Sequence, residues 1–185
     1  MKIAIVTVDL FPGREMLMPW RYVLEVASFL SDSGHEVEVL NQEVRYRCDN
    51  PEFKKIQTKK VSRDVCQLSD YLAINKYEVL VYPVPWRDAL KNQNEFKNLK
   101  CKKIAYMPGG VYALRNILML CFQCGISSIK PFLLDYLTPG WLYTLKLKRY
   151  HFDDFVGLTP LTSNKVQQAG FKNVYTILPG KDDFE

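Results

Sequence analysis

The run from Phe155 to Phe184 constrains the fold most. Phe155-Val156-Gly157-Leu158 reads as a short apolar strand and Leu161–Ala169 as a helix. Gly170 stops that helix, and Val174-Tyr175-Thr176-Ile177-Leu178 reads as a second, β-branched strand. Neither strand alternates apolar with polar residues. Strands of that kind belong in a parallel sheet covered on both faces.

The same order opens the chain. Lys2–Val8 is a strand of Ile, Val and Thr, and a loop, Asp9–Met18, follows it. Pro19 suits the first turn of a helix, where its missing N–H is not needed. Trp20, Val23, Leu24, Ala27 and Leu30 then recur at helical spacing, Gly34 is placed to end the helix in the left-handed conformation, and His35–Leu40 is a strand. Strand, helix, glycine and strand make a βαβ unit.

Between these two units the reading is coarser. Asn41–Arg63 is polar and basic and predicts a solvated excursion. Asp64–Asn75 predicts a helix with Val65, Leu68, Tyr71 and Leu72 inward, Glu78–Pro83 a third strand, Arg87–Leu99 a helix and Lys102–Met107 a fourth strand. Val111–Cys124 is a helix apolar nearly all round, so it is buried or faces something apolar. Pro131, Pro139 and Gly140 divide Ile126–Tyr150 into two short helices. The expected fold is α/β, a single Rossmann-like three-layer domain over residues 1–185 with a mostly parallel sheet.

Composition narrows the function classes. A chain of 185 residues with 48% hydrophobic and 13% aromatic content can bury a core, which excludes a disordered tail. The net charge of +5 allows an anionic partner without requiring one. Cys121 and Cys124 form a Cys-x-x-Cys inside an apolar run, so they read as buried thiols. No second pair or nearby His completes a zinc set. The cysteine usage fits a reducing cytosol. Ile3–Val8 is too short for a signal peptide and runs into Asp9, and no uncharged apolar run reaches the ~20 residues of a spanning helix.

Two phrases carry a resemblance. Ser33-Gly34-His35-Glu36-Val37-Glu38-Val39 contains a Gly-His-x-Val-x-Val pattern, and Pro179-Gly180-Lys181-Asp182 is a Pro-x-Gly-x-Asp-like turn, one residue tighter, after the last strand. Together with the strand-to-helix passage at Thr159, they resemble the N-terminal domain of GT-B glycosyltransferases. The likeness is to the large retaining family, family four, which uses nucleotide-sugars. The resemblance implies one half of a GT-B fold, the acceptor-side domain, with the C-terminal donor-binding domain absent from this chain. That second domain is the implied partner, in cis or in trans. His35 then sits at a structural corner. The family often has a His near the end of the fourth strand and a Gly-Gly pair in the first loop. This chain has neither, only Gly13 in that loop.

Ligands of open α/β sheets collect beyond the carboxyl ends of the strands. That rule selects Gly13 and Arg14 after the first strand, Trp86 and Arg87 after the third, Gly109 and Gly110 after the fourth, and Thr159 in the closing unit. Gly13 lets the backbone approach a ligand, Arg14 can meet a phosphate, and Gly109-Gly110 before a helix can present N–H groups to an anion. The alternative for the Gly13–Arg14 loop is an ordinary turn. Neither a dinucleotide Gly-x-Gly-x-x-Gly nor a P-loop is present, no catalytic residue is assigned, and no metal or cofactor is expected beyond a nucleotide-sugar as donor substrate. His151 reads as a surface residue.

The stretch Lys102–Arg149 holds Lys102, Lys103, Arg115, Lys130, Lys146, Lys148 and Arg149 against Asp135 alone, with Phe122, Phe132, Tyr136, Trp141, Tyr143 and Tyr150 interleaved. Such a mixture suits an anionic membrane surface, and no nucleic-acid motif accompanies it. The bland alternative is core helices with solvated lysines. Two functions remain in view. One is a sugar transferase half with a sugar, lipid or glycan acceptor, cytoplasmic or peripheral at the inner membrane face. The other is a stand-alone flavodoxin-like or Rossmann-like binding module.

Overall fold

The computed structural model describes residues 1–8, 10–13, 20–42, 51–83, 97–107 and 139–177. In chain order these form β1 (Lys2–Val8), α1 (Trp20–Asp32), β2 (Glu36–Gln42), β3 (Gln57–Val61), α2 (Val65–Ile74), β4 (Val79–Pro83), β5 (Lys102–Met107), α3 (Gly140–Arg149), β6 (Asp154–Gly157), α4 (Pro160–Gln168) and β7 (Val174–Thr176). The strands join in one seven-stranded sheet in the order β3-β2-β1-β4-β5-β6-β7. Every pairing is parallel. The architecture is the expected Rossmann-like three-layer α/β fold.

Crossover handedness explains the layers. The step from β1 to β2 runs one way along the sheet, and the steps from β3 through β7 run the other way. With right-handed crossovers the connecting helices must then fall on opposite faces. Val23, Leu24 and Ala27 of α1 pack with Ile3, Ile5, Val37 and Val39 on one face. Leu68 and Leu72 of α2, Tyr143 and Leu147 of α3, and Val166 of α4 pack with Ala4, Val6, Leu80, Ala105 and Phe155 on the other. Alternate strand residues therefore feed two separate cores, as a pleated sheet requires.

Element ends follow local chemistry. Gly34 has φ +82, and the His35 N–H donates to the Leu30 carbonyl at 3.1 Å, the bond that closes a glycine-ended helix. His35 therefore lies at the expected corner. Asp64 caps α2 by accepting from the N–H groups of Cys66 and Gln67.

The stretch Asn41–Arg63 is not a solvated excursion. It contains the end of β2, a 3-10 turn at Pro51–Phe53 that buries Phe53, and the edge strand β3. Gln57, Lys59 and Lys60 are exposed, so β3 carries no apolar signature. Lys59 instead bridges at 3.1 Å to the buried Glu38 carboxylate on β2, which also accepts the Tyr77 hydroxyl. The last strand also differs from expectation. β7 is the opposite edge and leaves Tyr175 54% exposed, so it is not covered on both faces. The expected helix Val111–Cys124, the first of the two short helices in Ile126–Tyr150 and the turn Pro179–Asp182 lie outside the described residues.

Candidate functional site

β1 lies inside the sheet beside the central strand β4, and the chain reverses its direction of travel between the two. This is the switch point where open α/β sheets hold their ligands. The register shows where the pairing between the two strands ends. β1 pairs with β2 from Lys2 to Val8, but with β4 only from Ile3 to Ile5. β4 itself continues to Pro83, paired there with Tyr106 of β5. Beyond Ile5 and Val81, β1 and β4 run on without a ladder between them.

Buried polar groups lie at that point. The Tyr106 hydroxyl donates to the Val6 carbonyl at 3.1 Å. Burial pushes this hydroxyl well above the usual tyrosine range, against a smaller opposing pull from a hydrogen bond with Thr7. It is therefore a neutral donor at any physiological pH. Thr7 itself is buried.

Asn41 fixes the loop that leaves β1. Its side chain has no solvent exposure; Nδ2 donates to the Leu10 carbonyl at 2.9 Å and Oδ1 accepts the Leu10 N–H at 3.1 Å. One side chain thus satisfies both backbone groups of a residue that has left the sheet. Three residues later Gly13 adopts φ +88, a left-handed conformation that favours glycine. Among the described residues a Cβ there would meet nothing within 4 Å, so backbone conformation selects glycine. On the other side of β1 from β4, Gln42 ends β2 buried, with an amide nitrogen that has no hydrogen-bond partner among the described residues. Such a donor is costly to leave open and is available to an oxygen acceptor.

Of the expected site residues, Gly13 and Thr159 are described, while Arg14, Trp86, Arg87, Gly109 and Gly110 lie outside the described residues. Both described residues follow the carboxyl ends of strands. They are not in one contact, since β1 and β6 are separated by β4 and β5, three inter-strand spacings or roughly 14 Å. Thr159 already has a task. As the N-cap of α4 its hydroxyl accepts the Thr162 N–H at 3.3 Å and lies 2.9 Å from the Thr162 hydroxyl. At Gly157, two residues before it, a Cβ would stand 2.4 Å from Ser163 Oγ, so a larger residue would displace the hydroxyl that donates to the Tyr175 carbonyl.

Thr7, Asn41 and Tyr106 were not among the expected site residues. For Asn41 the available signal was its place, a polar residue ending the apolar run Val37-Glu38-Val39-Leu40 at a strand's carboxyl end. Tyr106 gave none, since its partner lies 100 residues away.

In the basic and aromatic stretch, residues 108–138 lie outside the described residues, and the rest divides between core and surface. Tyr143 and Tyr150 are buried, Lys103 is buried with its ammonium on the Leu99 carbonyl, and Lys102 bridges Asp154 at 2.6 Å. Trp141 and Leu145 remain exposed one turn apart on α3, near Lys148 and Arg149. His151 is exposed with φ +56, at the turn between α3 and β6. No helix among the described residues is long and apolar enough to cross a membrane.

No protein-family model matches the chain, and no curated protein matches it. Solved structures do. An alpha-glucosyltransferase in complex with UDP and a 13-mer DNA containing an HMU base superposes with a TM-score of 0.56 at 14% identity, over 98% of this chain and 43% of that one. A glycosyltransferase from Rickettsia africae gives a TM-score of 0.48 at 12% identity, over 97% of this chain and 43% of that one. The chain thus spans less than half the length of the solved structures it matches. What the first superposition shows is the fold, a Rossmann-like sheet of the kind one part of a sugar transferase contains.

Proposed function

We propose that the chain is the N-terminal, acceptor-side part of a glycosyltransferase that moves a sugar from a nucleotide-sugar to an acceptor. The superposition of 98% of the chain on under half of an alpha-glucosyltransferase carries this reading. The switch point between β1 and β4, where the ladder ends and the Tyr106 hydroxyl and the Asn41-clamped loop lie at the carboxyl end of β1, supports it. Polyhydroxylated acceptors need fixed donors and acceptors around a concave rim, and this edge supplies both. The resemblance at the chain's two ends points to retention of configuration and to a second domain that holds the donor.

Transfer requires both reactants in a closed, preorganised cleft, and positioning supplies a large share of the rate. One domain builds one wall. The 185-residue chain is therefore expected to transfer no sugar and to bind UDP-glucose more weakly than about 1 mM. Calorimetry with UDP-glucose and a turnover assay over saccharide, lipid-linked and short DNA acceptors test this. Micromolar donor binding, or turnover abolished by Arg14→Ala, would show a site complete without a second domain.

A lipid-facing patch belongs to the same reading. It rests on the exposed Trp141 and Leu145 beside Lys148 and Arg149. Co-sedimentation with anionic vesicles at low and high salt is the check. The expected result is salt-sensitive pelleting lost in Trp141→Ala; no pelleting at either salt removes the patch from the account.

A further inference from the structure

At the amino edge of the sheet, away from the switch point, a cavity of about 540 Å³ opens between the end of α2 and the segment that enters β5. Its size falls in the range of small-molecule sites. Leu72, Leu99 and Tyr77, all buried, form its apolar floor, and Cys101 adds a half-buried wall. Burial pushes the Cys101 thiol up, so it contributes a neutral surface.

The polar rim is unbalanced. Lys76, Lys100 and Asn98 face this cavity, and their side chains hold no ion pair or hydrogen bond among the described residues. The one acid on the rim, Glu78, already accepts the Lys2 backbone N–H at 2.9 Å. Of the last-turn carbonyls of α2, those of Tyr71 and Ala73 are already taken by Asn75 and Lys76. Lys76 itself stands at φ +53, just past the end of α2, where glycine is the residue the backbone favours. The chain carries a lysine in that left-handed position, among the residues that line the cavity.

We propose that this cavity binds a small amphipathic anion, with an acyl or aryl body over Leu72, Leu99 and Tyr77 and its carboxylate or phosphate between Lys76 and Lys100. The site lies on the opposite edge of the sheet from the switch point and does not depend on the sugar-transferase reading.

Octanoate and phenyl phosphate are the probes, with octylamine as the cationic control. Amide NMR titrations of the chain follow each. At least one anion binds tighter than about 1 mM, with shifts gathered at Ala73–Glu78 and Asn98–Lys102, and octylamine does not. Which anion binds identifies the acyl or aryl source. Lys76→Gly suits the backbone, so its Tm holds or rises while affinity falls about threefold; adding Lys100→Gln brings the loss to about tenfold. Neither anion binding, equal binding of octylamine, or unchanged affinity in the folded double variant overturns the proposal.

Discussion

At the scale of single residues, Asn41 carries the most. Asn41→Ala removes the partner of two buried backbone groups on Leu10 at once. Leaving them unsatisfied costs ~3 kcal/mol, read as a lowered urea midpoint at unchanged m-value; a loss below ~1 kcal/mol would mean that water replaces the clamp. Glu38 gives a pH signature. Burial alone would raise its carboxyl, but the Tyr77 hydroxyl and Lys59 outweigh burial and hold it below the usual range. A depressed folded value contributes stability that is present above the unfolded value, about 4.3, and lost as pH falls through the folded one. Urea midpoints should therefore drop along an acid limb below about pH 4.3, and Glu38→Gln should flatten that limb. Neither role was legible in the sequence, because each joins residues far apart, Leu10 to Asn41 and Glu38 to Tyr77. Gly34 was legible, since a helix-ending glycine acts on its own neighbours.

At the scale of elements, α4 shows how a ligand candidate can be a structural group first. Thr159→Ala loses a helix cap and costs about 1 kcal/mol, whereas Thr159→Ser keeps the hydroxyl and stays within about 0.5 kcal/mol. Thermal unfolding of both variants decides this, and an equal loss in both would place the role in the methyl group. Periodicity made β1, α1, α2 and β5 readable, because each presents an apolar face at its own repeat. It failed on β3, whose residues between Gln57 and Lys60 are mostly exposed at the sheet edge and whose link to the fold is the Lys59–Glu38 bridge. It overstated β7, where β-branched residues occur but Tyr175 and Thr176 face solvent. β propensity describes fitness for a half-buried pleated surface, and an edge strand satisfies it on one side only.

At the scale of the whole molecule, the strand order fixes where function can lie. Seven parallel strands ordered β3-β2-β1-β4-β5-β6-β7 admit one reversal of direction, between β1 and β4, and the ladder parts there. The fold class was legible from the two βαβ units at the chain's ends, while the end of the ladder appears only in the register. Amide NMR of the chain titrated with acceptor saccharides is the most direct measurement. The account predicts shifts gathered at the carboxyl edge, in Val6, Thr7, Leu10–Gly13 and Met107, and no comparable response to UDP-glucose below about 1 mM. Saccharide shifts away from that edge, or tight UDP-glucose binding to this chain alone, would contradict it.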